Sequence, residues 1–244
     1  MGNHEFNAVC FHTQDGNGGF LRSRTADNGK NLKQHQATLN AFIDREDEWA
    51  EWIDWFKRLP FSLDLGGVRA IHASWDEEAI RLLGDSSLQD STFLRKAANP
   101  GTPEFEAVER ALKGVELGLP EGHFFTDKQG VKRPHIRVRW WENSEGKSYR
   151  EMVFPDCDSV PNLAIAPGAA RPWHDYRPSE PPVFFGHYWL PPSHPVEPVA
   201  PNAACLDYSV AQKGGRLMAY RWNGEKRLSS ANFRTTASTA SNQT

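Results

Sequence analysis

Apolar and polar positions recur along this chain with two periods, and the periods mark its elements. From Asp44 to Arg58, Trp49, Trp52, Ile53 and Phe56 fall at i, i+3, i+4 and i+7. That spacing is the stripe of an amphipathic helix turned toward a core, so these aromatic residues are expected to be packing rather than ligand-stacking groups. Asp44 is the expected N-cap, Asp47 and Glu48 occupy the first turn, and Lys57-Arg58 close the helix before Pro60, each charge placed to suit the helix dipole. Phe61 to Leu65 and Val68 to Ile71 flank Gly66-Gly67 and read as a β-hairpin whose second strand delivers His72 at its carboxyl end. A short helix is expected from Asp76 to Leu83. Another is expected from Thr102 or Pro103 to Lys113, with proline at its start and Gly114 just past its end. Residues 13–31, rich in Gly, Asn and Asp, read as a long surface loop.

The character changes after residue 114. Ile136, Val138 and Trp140 alternate with His135, Arg137, Arg139 and Trp141, the period-2 signature of a half-buried strand. Phe124-Phe125 and Tyr149 to Phe154 read as further short strands. Most of the 17 prolines lie between Pro155 and Pro201, which makes that stretch irregular connection rather than helix. Within it, Val183-Phe184-Phe185 is a short apolar run ending at Gly186-His187. Ala203 to Ser209 and Arg216 to Trp222 read as two last strands around the turn Lys213-Gly214-Gly215. From Leu228 to Thr244 the chain is rich in Ser and Thr with few large apolar residues, the composition of a disordered tail. The expected organisation is therefore 1–114, a strand- and proline-rich excursion over 115–182, closing strands over 183–227, and a tail over 228–244.

Composition narrows the function classes. The 244 residues carry 28 Lys+Arg against 31 Asp+Glu, a net charge of −3, which argues against a general nucleic-acid coat. Mean hydropathy of −0.64, and a longest apolar run of only Val183 to Leu190, argue against a membrane protein. Cys10, Cys157 and Cys205 are too few and too scattered for a disulfide framework or a zinc ribbon, so a reducing, cytoplasmic setting is expected. The first residues have neither the basic nor the apolar region of a signal peptide. Gly146-Lys147-Ser148 mimics the end of a P-loop, but Trp141 stands where its first glycine would be.

Three histidines share a context. His4 lies in Gly2-Asn3-His4-Glu5, His72 ends a strand in Ala70-Ile71-His72-Ala73-Ser74, and His187 follows Phe184-Phe185-Gly186. Residues at the carboxyl ends of strands in an α/β sheet converge on the crevice where ligands bind. Imidazole nitrogens and an amide oxygen suit a borderline transition metal (Mn, Fe or Zn) better than Ca or Mg. Read one at a time, each histidine is more simply a buried hydrogen-bonding residue.

Taken in order, Gly-Asn-His-Glu, a strand-end His and then Gly-His resemble the calcineurin-like metallophosphoesterase superfamily. Within it they resemble the branch of bacterial serine/threonine protein phosphatases and diadenosine tetraphosphatases. Cys205-Leu206-Asp207-Tyr208 and Gly214-Gly215-Arg216-Leu217-Met218-Ala219 resemble that branch's paired closing strands. The resemblance implies an α/β fold, a β-sandwich flanked by helices, with 115–182 as an inserted α+β excursion. It implies two divalent metal ions that activate a bridging water for hydrolysis of phosphate mono- or diesters. Asn3, His72 and His187 match ligands of one of those metals, and His4 matches the residue that gives a proton to the leaving oxygen. Trp189 stands where other members carry a histidine for the second metal, as in the protein-phosphatase-like branch. The implied substrate is a phosphorylated small molecule, a nucleotide or a phosphoprotein.

The sequence departs from the family in one large respect. The motifs Gly-Asp-x-His-Gly and Gly-Asp-x-x-Asp-Arg-Gly, which precede Gly-Asn-His-Glu in the family, do not occur; Gly84-Asp85-Ser86-Ser87 does not fit. They supply the second metal's ligands, the bridging carboxylate and a phosphate-binding arginine. The fold is accordingly expected to be N-terminally incomplete, with half of the dinuclear site missing and no activity as this chain alone. The alternative expectation is a non-catalytic remnant of the fold acting as a binding domain. Among other candidates, Lys132, Arg133, His135, Arg137 and Arg139 read more simply as a solvated strand face than as a phosphate-binding wall. His12 and His35 read as surface loop residues, and His123, His174 and His194 have no partner spacing. Asp207 is a candidate to support the metal histidines from behind. Ser74 has no base at readable spacing for a hydrolase nucleophile.

Overall fold

The computed structural model describes residues 1–126, 130–166, 168 and 175–235, and they are a mixture of α and β structure. Seven α-helices and several small sheets are present, and among the described residues there is no barrel. None of these helices is long and apolar enough to cross a membrane. The residues fall into two compact units, 1–62 with 78–112, and 63–77 with 113–244.

The first unit is helical. It holds α1 (Asn3–His12), α2 (Ala26–Ala41), α3 (Glu46–Arg58), α4 (Glu77–Leu83), α5 (Ser91–Ala97) and α6 (Pro103–Lys113). The carbonyl of Gly2 accepts the Phe6 N–H at 3.0 Å to open α1, and Phe6, Ala8, Val9, Cys10 and Phe11 are all buried. Its apolar residues are spread around the helix among Asn3, His4, Glu5, Asn7 and His12, so there is no stripe for periodicity to find. α2 begins inside the expected 13–31 loop, leaving a loop over 13–25 in which Asp15 Oδ1 accepts the N–H groups of Asn17 and Gly19. α3 keeps the expected charge arrangement, but Asp44 is not its cap: Asp44 has φ 60° and α3 starts after Arg45. Its stripe is only partly covered. Ile53 is buried, whereas Trp52 and Trp55 are 41% and 45% exposed and lie edge to face at 5.5 Å. α5 is capped by Asp90, whose Oδ1 accepts from Thr92 N at 2.8 Å. α6 runs from its proline to Lys113 and stops at Gly114 (φ 89°), as its ends foretell.

The second unit carries the sheets. β1 (Ser62–Asp64) and β2 (Arg69–Ile71) form the expected hairpin, with Gly66 at φ 78° in the turn. The remaining strands are β3 (Glu116–Gly118), β4 (Phe125–Thr126), β5 (Lys132–Arg133), β6 (His135–Arg137), β7 (Val183–Phe185), β8 (Ala203–Cys205), β9 (Asp207–Tyr208), β10 (Arg216–Tyr220) and β11 (Phe233–Thr235). The main sheet has the order β1-β2-β7-β8, and β2, β7 and β8 run parallel, with Ala70 opposite Phe184 and Phe185 opposite Cys205. Val183, Phe185 and all of β8 are buried, as parallel strands covered on both faces must be. A second sheet, antiparallel, has the order β11-β10-β9, while β3–β6 and β4–β5 are two-stranded ribbons.

Two expectations, a strand at Tyr149 to Phe154 and a tail from Leu228, are corrected here. Tyr149 to Phe154 is not a strand: Tyr149–Met152 is α7, opened by a capping box in which the Ser148 hydroxyl accepts from Glu151 N and the Glu151 carboxylate accepts from Ser148 N. The described residues of the 115–182 excursion pack on the sheet. Trp140 and Trp141 pack on Phe185 at 5.1 and 5.4 Å, and Asn202 Nδ2 donates to the carbonyls of Arg177 and Glu180. The tail expected from Leu228 is ordered as far as Thr235, because a short 3₁₀ turn at Ser230–Asn232 leads into β11 and Phe233 buries against Tyr220. Residues 236–244 lie outside the described residues.

Candidate functional site

Parallel pairing places β2, β7 and β8 with their carboxyl ends on the same edge of the sheet, and each strand ends in a residue able to bind a ligand. His72 follows Ile71 at the end of β2, His187 follows Phe185-Gly186 at the end of β7, and Asp207 lies two residues beyond β8. The pairing of β2 with β7 continues one step past the strands, where Gly186 N donates to the His72 carbonyl at 2.9 Å. The two imidazole rings consequently meet with centroids 5.2 Å apart and planes tilted by 60°.

The loop that carries His187 is held in an unusual backbone conformation. His187, Trp189 and Ser209 have φ of 73°, 52° and 54°, and Asp44 is the one other described non-glycine residue with positive φ. Such residues cost of order 1–3 kcal/mol each and persist only where surrounding contacts over-determine them. Asp207 supplies those contacts. Its Oδ2 accepts the Trp189 N–H and its Oδ1 accepts the Ser209 N–H, both at 3.1 Å, and its carbonyl accepts Leu190 N at 2.9 Å. The Ser209 hydroxyl closes the arrangement by donating to the Leu190 carbonyl at 2.8 Å. Asp207 therefore acts on the loop backbone, tying the end of β8 to the turn that presents His187.

Beneath the loop the interior is apolar. Tyr188 points inward against Phe154 and Phe185, and burial pushes its phenol pKa up. Burial likewise pushes the Cys205 thiol up to about 12, which makes it a packing group and not a nucleophile at neutral pH. Ser74 is fully buried, out of reach of a substrate. At the opposite end of β2, Arg69 anchors the sheet: its guanidinium pairs with Asp64 at 2.8 Å and Glu180 at 3.0 Å, donates to Tyr176 Oη at 3.2 Å, and lies over the Trp75 ring.

Of the four residues matched to the metal and proton-transfer roles, the structure brings His72 and His187 together. Asn3 and His4 belong to the helical unit, on the first turn of α1, Asn3 half-buried and His4 exposed. An ion held by two imidazole nitrogens at about 2.1 Å and a near-tetrahedral angle sets the ring centroids roughly 5 Å apart, so the spacing of His72 and His187 fits one borderline divalent ion. Among the described residues no group of three or more His, Cys, Asp or Glu side chains is arranged to hold an ion. The pair is therefore two imidazoles at a spacing compatible with a shared ion, and among the described residues no larger group completes a metal centre around them.

The other sequence candidates separate cleanly. Lys132, Arg133 and His135 are exposed, with Lys132 over the Phe124 ring, whereas Arg137 and Arg139 are half-buried, Arg139 pairing with Glu142 and Asp156, so the expected solvated face holds for only part of the series. His174 lies outside the described residues. His12 and His35 are not loop residues: they sit on α1 and α2 with their Nε2 atoms 3.3 Å apart. Comparison of the chain with family models, with curated proteins and with solved structures finds no match. The left-handed Trp189 and Ser209 were invisible in the sequence, since neither residue type signals positive φ.

Proposed function

We propose that this chain is part of a metal-dependent phosphoesterase of the calcineurin-like type, in the branch of bacterial serine/threonine protein phosphatases and diadenosine tetraphosphatases. The observation that carries the reading is the meeting of His72 and His187 at the carboxyl ends of neighbouring parallel strands, in a chain whose residues 2–5 are Gly-Asn-His-Glu. On this reading the β1-β2-β7-β8 and β11-β10-β9 sheets are layers of the family's β-sandwich. Asn3, His72 and His187 hold one divalent ion (Mn, Fe or Zn), and His4 gives a proton to the leaving oxygen. A metal bound there supplies Lewis acidity toward the phosphoryl oxygens and a water that ionises near neutral pH. Asp207 fixes the backbone that aims His187, and the buried Tyr188 keeps that loop from collapsing inward. The substrate is a phosphate mono- or diester on a small molecule, a nucleotide or a protein.

A second reading, a non-catalytic domain that retains the fold, is favoured by one observation: among the described residues no group of three or more His, Cys, Asp or Glu side chains is arranged to hold an ion. Hydrolysis of p-nitrophenyl phosphate and of diadenosine tetraphosphate with Mn(II), by this chain and by a version extended upstream, separates the two. The phosphoesterase reading expects activity in the extended version and its loss in His72→Ala, His187→Ala and His4→Ala. Inactivity of the extended version, or activity indifferent to those changes, overturns it.

A further inference from the structure

The helical unit contains a histidine pair that the phosphoesterase reading does not use. His12 closes α1, His35 lies in α2 and Trp49 in α3, and the three side chains meet. Trp49 Nε1 lies 3.0 Å from His12 Nε2, and His35 Nε2 lies 3.3 Å from the same atom. Phe11 and Phe42 enclose them, with the Phe11 ring 4.9 Å from His35 and the Phe42 ring 4.8 Å from Trp49.

The chemistry of the three groups fixes the protons. An indole N–H only donates, so His12 Nε2 accepts from Trp49 and carries no proton; the ring's one hydrogen is on Nδ1. His35 Nε2, facing the same lone pair, is then a second donor. Protonating His12 at Nε2 would turn three N–H groups toward one another. Protonating His35 at Nδ1 would leave its donation intact. Protonation of His12, and not of His35, is thus what breaks the set.

We propose that His12, His35 and Trp49 form a proton-sensitive latch that fastens the carboxyl end of α1 to α2 and α3, closed while His12 is neutral and opened by its protonation. The surroundings bias it the same way. Arg24 faces His12, while Arg22, Arg24 and His4 face His35, and at the start of α3 the N-cap residue Arg45 pairs with Glu48 at 3.2 Å. Burial first, then His35 and Arg24, lower the His12 pKa to about 4. The folded value lies below the unfolded value of about 6.5, so the unfolded chain takes up the proton first on acidification. The latch's contribution to stability is therefore complete above about pH 6.5 and is lost as the pH falls toward 4. α1 also bears Asn3 and His4 at its other end, but the latch holds whether or not the phosphoesterase reading does.

The test compares urea unfolding of the whole chain at pH 7.5 and 4.5 for wild type, His12→Gln and His35→Gln. Glutamine can accept from Trp49 but cannot titrate, so the ratio of wild-type to His12→Gln folding constants should fall roughly tenfold between the two pH values, well below the limit a shift of this size allows because the site is half exposed. His35→Gln removes one depressed histidine and one of the influences on His12, so it should lose part of the acid sensitivity and keep the share due to burial of His12 and to Arg24. Independently of whether either variant folds, NMR titration of the wild-type ring signals should place the His12 midpoint below pH 5, with the Trp49 indole N–H shifting at the same midpoint. A His12 midpoint near 6.5, or acid sensitivity undiminished in His12→Gln, overturns the latch.

Discussion

Replacement of Asp207 isolates the device that aims His187. Asp207→Ala removes both carboxylate acceptors, leaving Trp189 N and Ser209 N without their 3.1 Å partners. Hydrogen bonds to a charged group contribute about 1.5–3 kcal/mol each. Asp207 is half-buried, so water replaces part of that loss, and the expected cost is about 2–3 kcal/mol for the pair. The same bonds restrain two left-handed non-glycine residues, Trp189 and Ser209, so the released loop should also relax toward extended backbone and carry His187 with it. Asp207→Asn keeps one acceptor oxygen and turns an amide N–H₂ toward the other donor, and should cost about half as much. The assay is urea unfolding followed by tryptophan fluorescence, with the separation of the His72 and His187 ring signals followed by NMR. Gly186→Ala is the control: a Cβ there would meet Asp207 Cβ at 3.5 Å and the His72 carbonyl at 3.8 Å, ordinary contacts, so it should cost less than about 1 kcal/mol. If Asp207→Ala stays within about 0.5 kcal/mol of wild type and leaves the His187 signal in place, the clamp does not exist.

Two further outcomes follow from packing. A Cβ built on Gly215 would overlap the Ser209 carbonyl oxygen and come within 3.0 Å of the Gln212 oxygen, both backbone atoms that cannot swing away. Gly215→Ala should therefore destabilise by more than about 3 kcal/mol in thermal or urea unfolding, and a cost under 1 kcal/mol would show that the turn before β10 is free to rearrange. Cys10 and Cys205 are buried while Cys157 is part-exposed beside the Ser159 hydroxyl, so a thiol-disulfide reagent at pH 8 should titrate one thiol in the native chain and three after unfolding. Three reactive thiols in the native state would contradict the burial of β8.

What the sequence made legible was what local chemistry specifies. The ends of α6 were readable from Pro103 and Gly114, the polarity of α3 from its charged termini, and the β1–β2 hairpin from Gly66-Gly67, because each is set by one or two residues. Neither α1 nor α2 has an amphipathic period, the first because its apolar residues are spread around the helix among polar ones and the second because it is predominantly polar. Tyr149–Met152 is helical because Ser148-x-x-Glu151 forms a capping box, a signal carried by two residues beside an aromatic-flanked stretch whose composition suits a strand. At the site, strand ends could be placed from Ile71-His72 and Phe185-Gly186-His187, and the parallel register then brought the rings together. The positive φ of His187 and Trp189 could not be read, because Asp207 imposes it from a strand twenty residues away. The exposure of Trp52 and Trp55 was likewise out of reach: spacing shows that side chains share a face, not how wide the surface covering that face is.

Mn(II) titration of the whole chain, read by paramagnetic broadening of the histidine ring signals, tests the central claim most directly. The account predicts that His72 and His187, assigned through His72→Gln and His187→Gln, broaden together at substoichiometric Mn(II), while the exposed His123 and His135 do not, and that either substitution abolishes the effect on the other ring. Uniform broadening of all histidines, or none at His72 and His187, would contradict it.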